Sequence, residues 1–319
     1  MNRILLPALV LGLQWMSACL TWADNSSKPL EIDPLLKPTM PGDRTPAKPE
    51  TPKDEIRKLD GKLLGPGQRS SWSPDGKKIV FGCSGNDNGI LVYDVAANKT
   101  STFTPTGKDP AWAGKEGRWI AYVTGSGANE AIWAAEFPDG KPVRQASGTL
   151  PSWSGDGKTL FFHAFDKNQL MSSEVANGGF APPRARIAMS YRYPAISPDG
   201  KRAAYKRNDE LVIQQIDDGK VAKRFVLPKG VGLLGGWSPD SREFGFGGWN
   251  ADDPMPCIVL DVATGQARQL ASRALTFPAW SPDGTKITFD LRLRTGTRIW
   301  MVDAAVVKKL PTFKMETRE

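Results

Sequence analysis

The chain has 319 residues, 40% hydrophobic and 24% charged, with 32 Gly and 26 Pro. That composition excludes disorder throughout and tilts towards many short strands joined by tight turns; the length suits one large all-β domain with a tail. A formal net charge of +8 favours acidic partners, and an export signature at the N-terminus argues against nucleic acid.

That signature comes first in the chain. Arg3 supplies a positive start, Ile4 to Leu13 is almost wholly apolar, and the small residues Ser17 and Ala18 follow. Residues 1–23 are therefore expected to be a signal peptide and the protein to be exported to the periplasm or cell envelope. The apolar run is too short for a permanent transmembrane anchor. Two processing routes stay open: Met16-Ser17-Ala18-Cys19 resembles a lipobox, which would make Cys19 the lipidated residue of an anchored lipoprotein, while Thr21-Trp22-Ala23 offers a signal-peptidase site. A lipid on Cys19 is the one membrane contact expected. Residues 24–54 are rich in Pro, Lys, Glu and Asp with few large apolar side chains, and read as a disordered linker reaching on the order of 90 Å at roughly 3 Å per residue.

From residue 55 the chain repeats. Ser71-Trp72-Ser73-Pro74-Asp75-Gly76 recurs as Ala111-Trp112-Ala113, Ser152-Trp153-Ser154-Gly155-Asp156-Gly157, Ala195-Ile196-Ser197-Pro198-Asp199-Gly200, Gly236-Trp237-Ser238-Pro239-Asp240-Ser241 and Ala279-Trp280-Ser281-Pro282-Asp283-Gly284, at spacings of 40, 41, 43, 41 and 43. Units of ~40–45 residues match four-stranded propeller blades. In each, a short strand ends at the aromatic and the turn reverses the chain: Pro fixes φ, Asp bonds the local backbone and Gly accepts positive φ. Alternating strands such as Lys78-Ile79-Val80-Phe81 follow. The Trp and Asp of this motif are thus architectural. For the outer strand of blade six two segments compete, Ile56-Arg57-Lys58-Leu59 and Val306 to Leu310, and closure by the N-terminal one is favoured because joining both termini protects sheet edges. The expected propeller spans residues 55–312, with a C-terminal tail over 313–319.

The repeated Trp-Ser-Pro-Asp-Gly-Lys-x-Ile-x-Phe core resembles the WD40-like repeat of TolB-type propellers, over about residues 55–310. The resemblance implies an all-β, six-bladed propeller of four-stranded antiparallel blades. It is a likeness to the repeat module, since the Pro-rich stretch stands where TolB has an N-terminal α/β domain. No hydrolase domain of the kind that follows related propellers is expected after blade six.

Catalytic signatures are sparse. No Gly-x-Ser-x-Gly occurs. The single His, His163, sits among Phe161, Phe162 and Phe165, where a structural role is the simpler reading. Three scattered Cys and one His do not supply a zinc set, and Cys83 and Cys257 fall in blades that are not neighbours, so no disulfide is expected. Asp217-Asp218 and Asp252-Asp253 read as turn and loop rather than calcium ligands. No catalytic residue, metal or cofactor is assigned.

Three positions before each aligned aromatic stand Arg69, Asp109, Leu150, Tyr193, Leu234 and Phe277, a ring that varies while its neighbours repeat. With Lys108 and Arg192 beside it, and Trp249 and Arg294 on the loops above, it forms a rim of aromatic and cationic groups at the channel mouth, expected to lie on the face opposite the Pro-Asp-Gly turns. Such a rim suits an envelope protein or an anionic polymer. The function expected is non-catalytic binding by a monomer. Two alternatives remain: a propeller enzyme (glycan lyase, hydrolase or peptidase-like) working with carboxylates such as Asp109 and Asp252 at the mouth, and a self-associating structural repeat protein.

Overall fold

Short alternating segments bounded by Gly, Pro, Asn and Asp favour strands that reverse at once. The computed structural model describes residues 52–318, apart from 84–88, 116, 165, 177, 189–193, 229–230, 233, 249–255, 273–274 and 294. They form six antiparallel sheets of four or five strands. Blade one runs outward from the channel as Gln68–Trp72, Lys78–Gly82, Ile90–Asp94 and Lys99–Thr104. The innermost strands of the next four blades are Lys108–Trp112, Thr149–Trp153, Ala195–Ile196 and Leu234–Trp237. Blade six comprises Leu275–Trp280, Lys286–Leu293 and Gly296–Asp303.

Blade six is closed from the N-terminal side, but not by the expected residues. Its outermost strand is Lys62–Pro66, antiparallel to Gly296–Asp303. Residues 56–59 fall instead at the end of helix Pro52–Lys58 and the turn after it. The spacing of Ile56 and Leu59 is helical rather than alternating: both are buried against Leu270 and Val307 of the blade five–six core. The competing segment is likewise helical over Ala304–Lys308. The C-terminal residues, expected as a tail, form a strap. Thr312–Lys314 adds a fifth strand to blade five and Thr317–Arg318 one to blade four, with Met315 buried between them.

The apolar cores lie between blades, one cluster at each of the six junctions. Val80, Ile90 and Val92 of blade one, for example, meet Trp112, Ile120 and Tyr122 of blade two. Sheets this small bury one face only against a neighbour, so no blade is stable alone and the ring is the cooperative unit. Blade five approaches blade six closely: a Cβ at Gly236 would run into the Pro278 carbonyl, and one at Gly247 into that of Leu275. His163 is buried within blade three, opposite Thr149. Cys83 and Cys257 are buried, and burial pushes the Cys257 thiol up to about 12.

Candidate functional site

The channel wall is made by the six innermost strands, and at one end it is held by the repeated motif. The indole of Trp72 donates to the Ala279 carbonyl at 3.2 Å, Trp153 to Ala111 at 3.1 Å and Trp237 to Ala195 at 3.0 Å, each reaching the inner strand of the preceding blade. The recurring Trp is thus a staple between blades. Below it, the Ser73 hydroxyl donates to Asp75 and accepts the Lys78 N–H, while Asp75 also accepts the Lys77 N–H. The same network recurs around Asp156, Asp199, Asp240 and Asp283. Hydrogen bonds from these Ser hydroxyls and from the backbone hold all five carboxyls below the usual range against a partial desolvation cost.

At the other end a shared backbone feature is seen on four blades, whereas on blade five Leu234 pairs straight across with Gly247 and the ladder is unbroken. Arg69, Asp109, Leu150 and Phe277 adopt φ of 56°, 51°, 55° and 52°, and the pairing of each inner strand with the second strand skips there. Positive φ is uncommon outside Gly and is found where a bulge re-aims a side chain. On these four blades the variation is therefore one of side chain alone: the repeat imposes the conformation and leaves the chemistry open.

That chemistry concentrates on blades six, one and two. The Arg69 Nε lies 2.9 Å from Asp109 Oδ1, and the Arg69 backbone N–H donates to Asp290 Oδ2 at 2.8 Å. The Arg69 guanidinium stacks 4.4 Å from the centroid of Phe277. Desolvation raises the Asp109 carboxyl, opposed by the charges of Arg69 and Lys108. Asp290 is 1% exposed; its burial pushes it up to about 8, against the Arg69 N–H and the charges of Arg69 and Arg292, so it is mainly neutral at pH 7. Its Oδ1 and the Thr276 hydroxyl, on residues directly opposite each other in blade six, are buried with no hydrogen-bond partner among the described residues.

Of the expected rim, Arg69, Asp109 and Phe277 come together, and Lys108 pairs with Glu130 at 2.7 Å. Arg192, Tyr193, Trp249, Arg294 and Cys19, with Asp252 and Asp253, lie outside the described residues. Asp217-Asp218-Gly219 makes a turn, with the Lys220 N–H on Asp218. Asp290 was not anticipated. Ten residues after its aligned Trp, it corresponds to Gly82 in blade one and Gly247 in blade five, but to Tyr122, His163 and Lys206 in blades two, three and four, so the position varies and gave no single signal.

The two ends open onto one space. A single cavity of about 650 Å³ is lined by Arg69, Asp109 and Phe277 and also by Pro74, Pro198 and Pro282 of the turns. An inner strand of five residues is only ~17 Å long, so the turns shape the far end of the same channel. Among the described residues no group of three or more His, Cys, Asp or Glu converges to hold a metal.

The architecture and central channel define a six-bladed, TolB-like β-propeller. A structure described as TolB from Agrobacterium tumefaciens superposes with a TM-score of 0.58 at 17% identity, over 78% of this chain and 95% of that one. A chain of hydrazine synthase from Kuenenia stuttgartiensis superposes with a TM-score of 0.53 at 16% identity, over 78% and 81%. At such identities the likeness is one of fold. No family model matches the sequence, and no curated protein matches it.

Proposed function

We propose that this chain is a non-catalytic binding protein of the cell envelope that presents the Arg69–Asp109–Phe277 end of its channel to a protein or anionic-polymer partner. The observation carrying the proposal is the breaking of repeat symmetry at one mouth of an otherwise regular channel, where an aromatic ring, a guanidinium and a carboxylate converge on an open cavity. An aromatic–Arg pair gives contact area and directed hydrogen bonds. Export and the two routes at Cys19 belong to the same proposal; mass spectrometry of the mature N-terminus decides between a lipidated Cys19 and cleavage after Ala23.

Binding is favoured over catalysis because the Asp109 and Asp290 carboxyls are both bound to Arg69, Glu130 is paired with Lys108, and Asp290 is too buried to meet a substrate. The test replaces Arg69, Arg192, Tyr193 and Phe277 together. Loss of envelope partners in a crosslinking pulldown, with the circular dichroism of the fold retained, is the expected result. Undiminished capture removes the mouth from consideration. Turnover in a glycan and peptide screen that disappears in Asp109→Asn overturns the non-catalytic reading, and light scattering that shows a multimer favours self-association over a monomer.

A further inference from the structure

A propeller leaves one edge of each outermost strand unpaired, and charged side chains guard such edges against pairing with other chains. Here they are of one sign. The outermost strands of the six blades and the two strands of the C-terminal strap carry ten Lys or Arg and no Asp or Glu, in a chain with 42 basic and 34 acidic residues overall. Edge protection alone does not require that bias. The acids sit instead on the repeated turns and on hairpins such as those of Asp94, Asp217 and Asp261.

Three of the ten, Arg186, Arg268 and Arg318, pair with Asp217, Glu243 and Asp209 of neighbouring hairpins and strands. Lys223 and Lys314 bond neutral carbonyls, those of Ala263 and Thr264, and Arg144 bonds the Ser147 hydroxyl. Lys99 and Arg184 are exposed on blades one and three, and no carboxylate partner is present for either among the described residues. The exposed large apolar side chains Leu63, Val143, Val221 and Phe313 stand on these same strands, so the flank offers contact area beside its charge. None of these strands lines the channel.

We propose that the flank of the propeller is a basic belt that binds a linear anionic polysaccharide laid across consecutive blades. The charges lie on all six blades, and a flexible chain follows that curve whereas a flat bilayer reaches one side of it. Single cations on separate strands suit repeated carboxylates as point charges. Each exposed contact contributes at most about 1 kcal/mol, so affinity comes from many weak contacts acting together and falls steeply with salt.

The test uses the full chain and fluorescently labelled alginate, a linear polyuronate, read by anisotropy at low ionic strength. Neutral dextran and phosphatidylglycerol vesicles are run as separate arms. Replacing Lys99→Glu, Arg144→Glu and Arg184→Glu keeps a charge at every edge. The control Lys77→Glu, Lys158→Glu and Lys201→Glu changes net charge equally on the exposed turns. The flank triple is expected to weaken alginate binding about tenfold or more and the turn triple less than about threefold, with both folds retained. Equal loss in the two triples reduces the effect to net charge and overturns the belt. So does wild-type protein that fails to bind alginate, that binds dextran as well, or that binds only the vesicles.

Discussion

The two ends of the channel are built from the same inner strands and differ in what evolution has left repeated. At the turn end, a Trp staple holds blades one, three and five to their predecessors and a Ser–Asp network recurs on five blades, each copy satisfying its own backbone. At the mouth end, the backbone bulge recurs on four blades but the side chains do not, and charge gathers around Arg69 on blades six, one and two. Repetition marks what the ring needs in order to close. A break in it, held at positive φ and partly buried, marks what the ring carries.

The largest effect that would sharpen this contrast is at the stapled end. Trp237→Ala removes a buried indole and its bond to Ala195, and is expected to cost about 3–5 kcal/mol in urea unfolding. Arg69→Met at the mouth keeps the aliphatic stem but removes the guanidinium that stacks on Phe277 and strands the Asp109 carboxylate, for a loss of about 2–3 kcal/mol at pH 7. Restoring most of that stability in the double variant Arg69→Met with Asp109→Asn is expected from the same electrostatics. The pH dependence of the mouth belongs to Asp290. Because its folded pKa is raised, the folded chain holds a proton that the unfolded chain releases, and stability falls as pH rises from about 4 to about 8. Asp290→Asn removes that slope and is expected to be more stable than wild type by about 1 kcal/mol or more at pH 8.5, with little difference at pH 4.

The turn end behaves oppositely. The depressed carboxyls of Asp75, Asp156, Asp199, Asp240 and Asp283 stabilise the fold above pH 4 and lose that contribution as pH falls through their folded values. Ser281→Ala, which removes one network's central hydroxyl, is the smallest change expected, about 0.5–1.5 kcal/mol. If Arg69→Met proves cheaper than Ser281→Ala, the distinction between the two ends is lost.

Blade count, register and the roles of the Trp and Asp were legible from the sequence because they rest on contacts within a blade or between equivalent positions of adjacent blades. Their fixed place three positions before each aligned aromatic made Arg69, Asp109 and Phe277 recognisable as members of a variable ring. Their mutual geometry was not legible, since Arg69 meets Asp290 across 221 residues. Ring closure was half legible: joining termini is a general requirement, but a short segment such as Ile56 to Leu59 carries apolar residues at a spacing that a helix satisfies as well as a strand. The strap was missed for a related reason, because two- and three-residue strands have no periodicity to read.

The claim that the broken-symmetry mouth is where a partner docks is tested most directly by site-specific photocrosslinking in the living cell. A photoreactive residue replaces Leu150 at the mouth or Lys201 on an exposed turn. The account predicts a discrete adduct from position 150 that disappears when Phe277→Ala is added, and none from position 201. An adduct from position 201 alone, or one at 150 indifferent to Phe277, contradicts it.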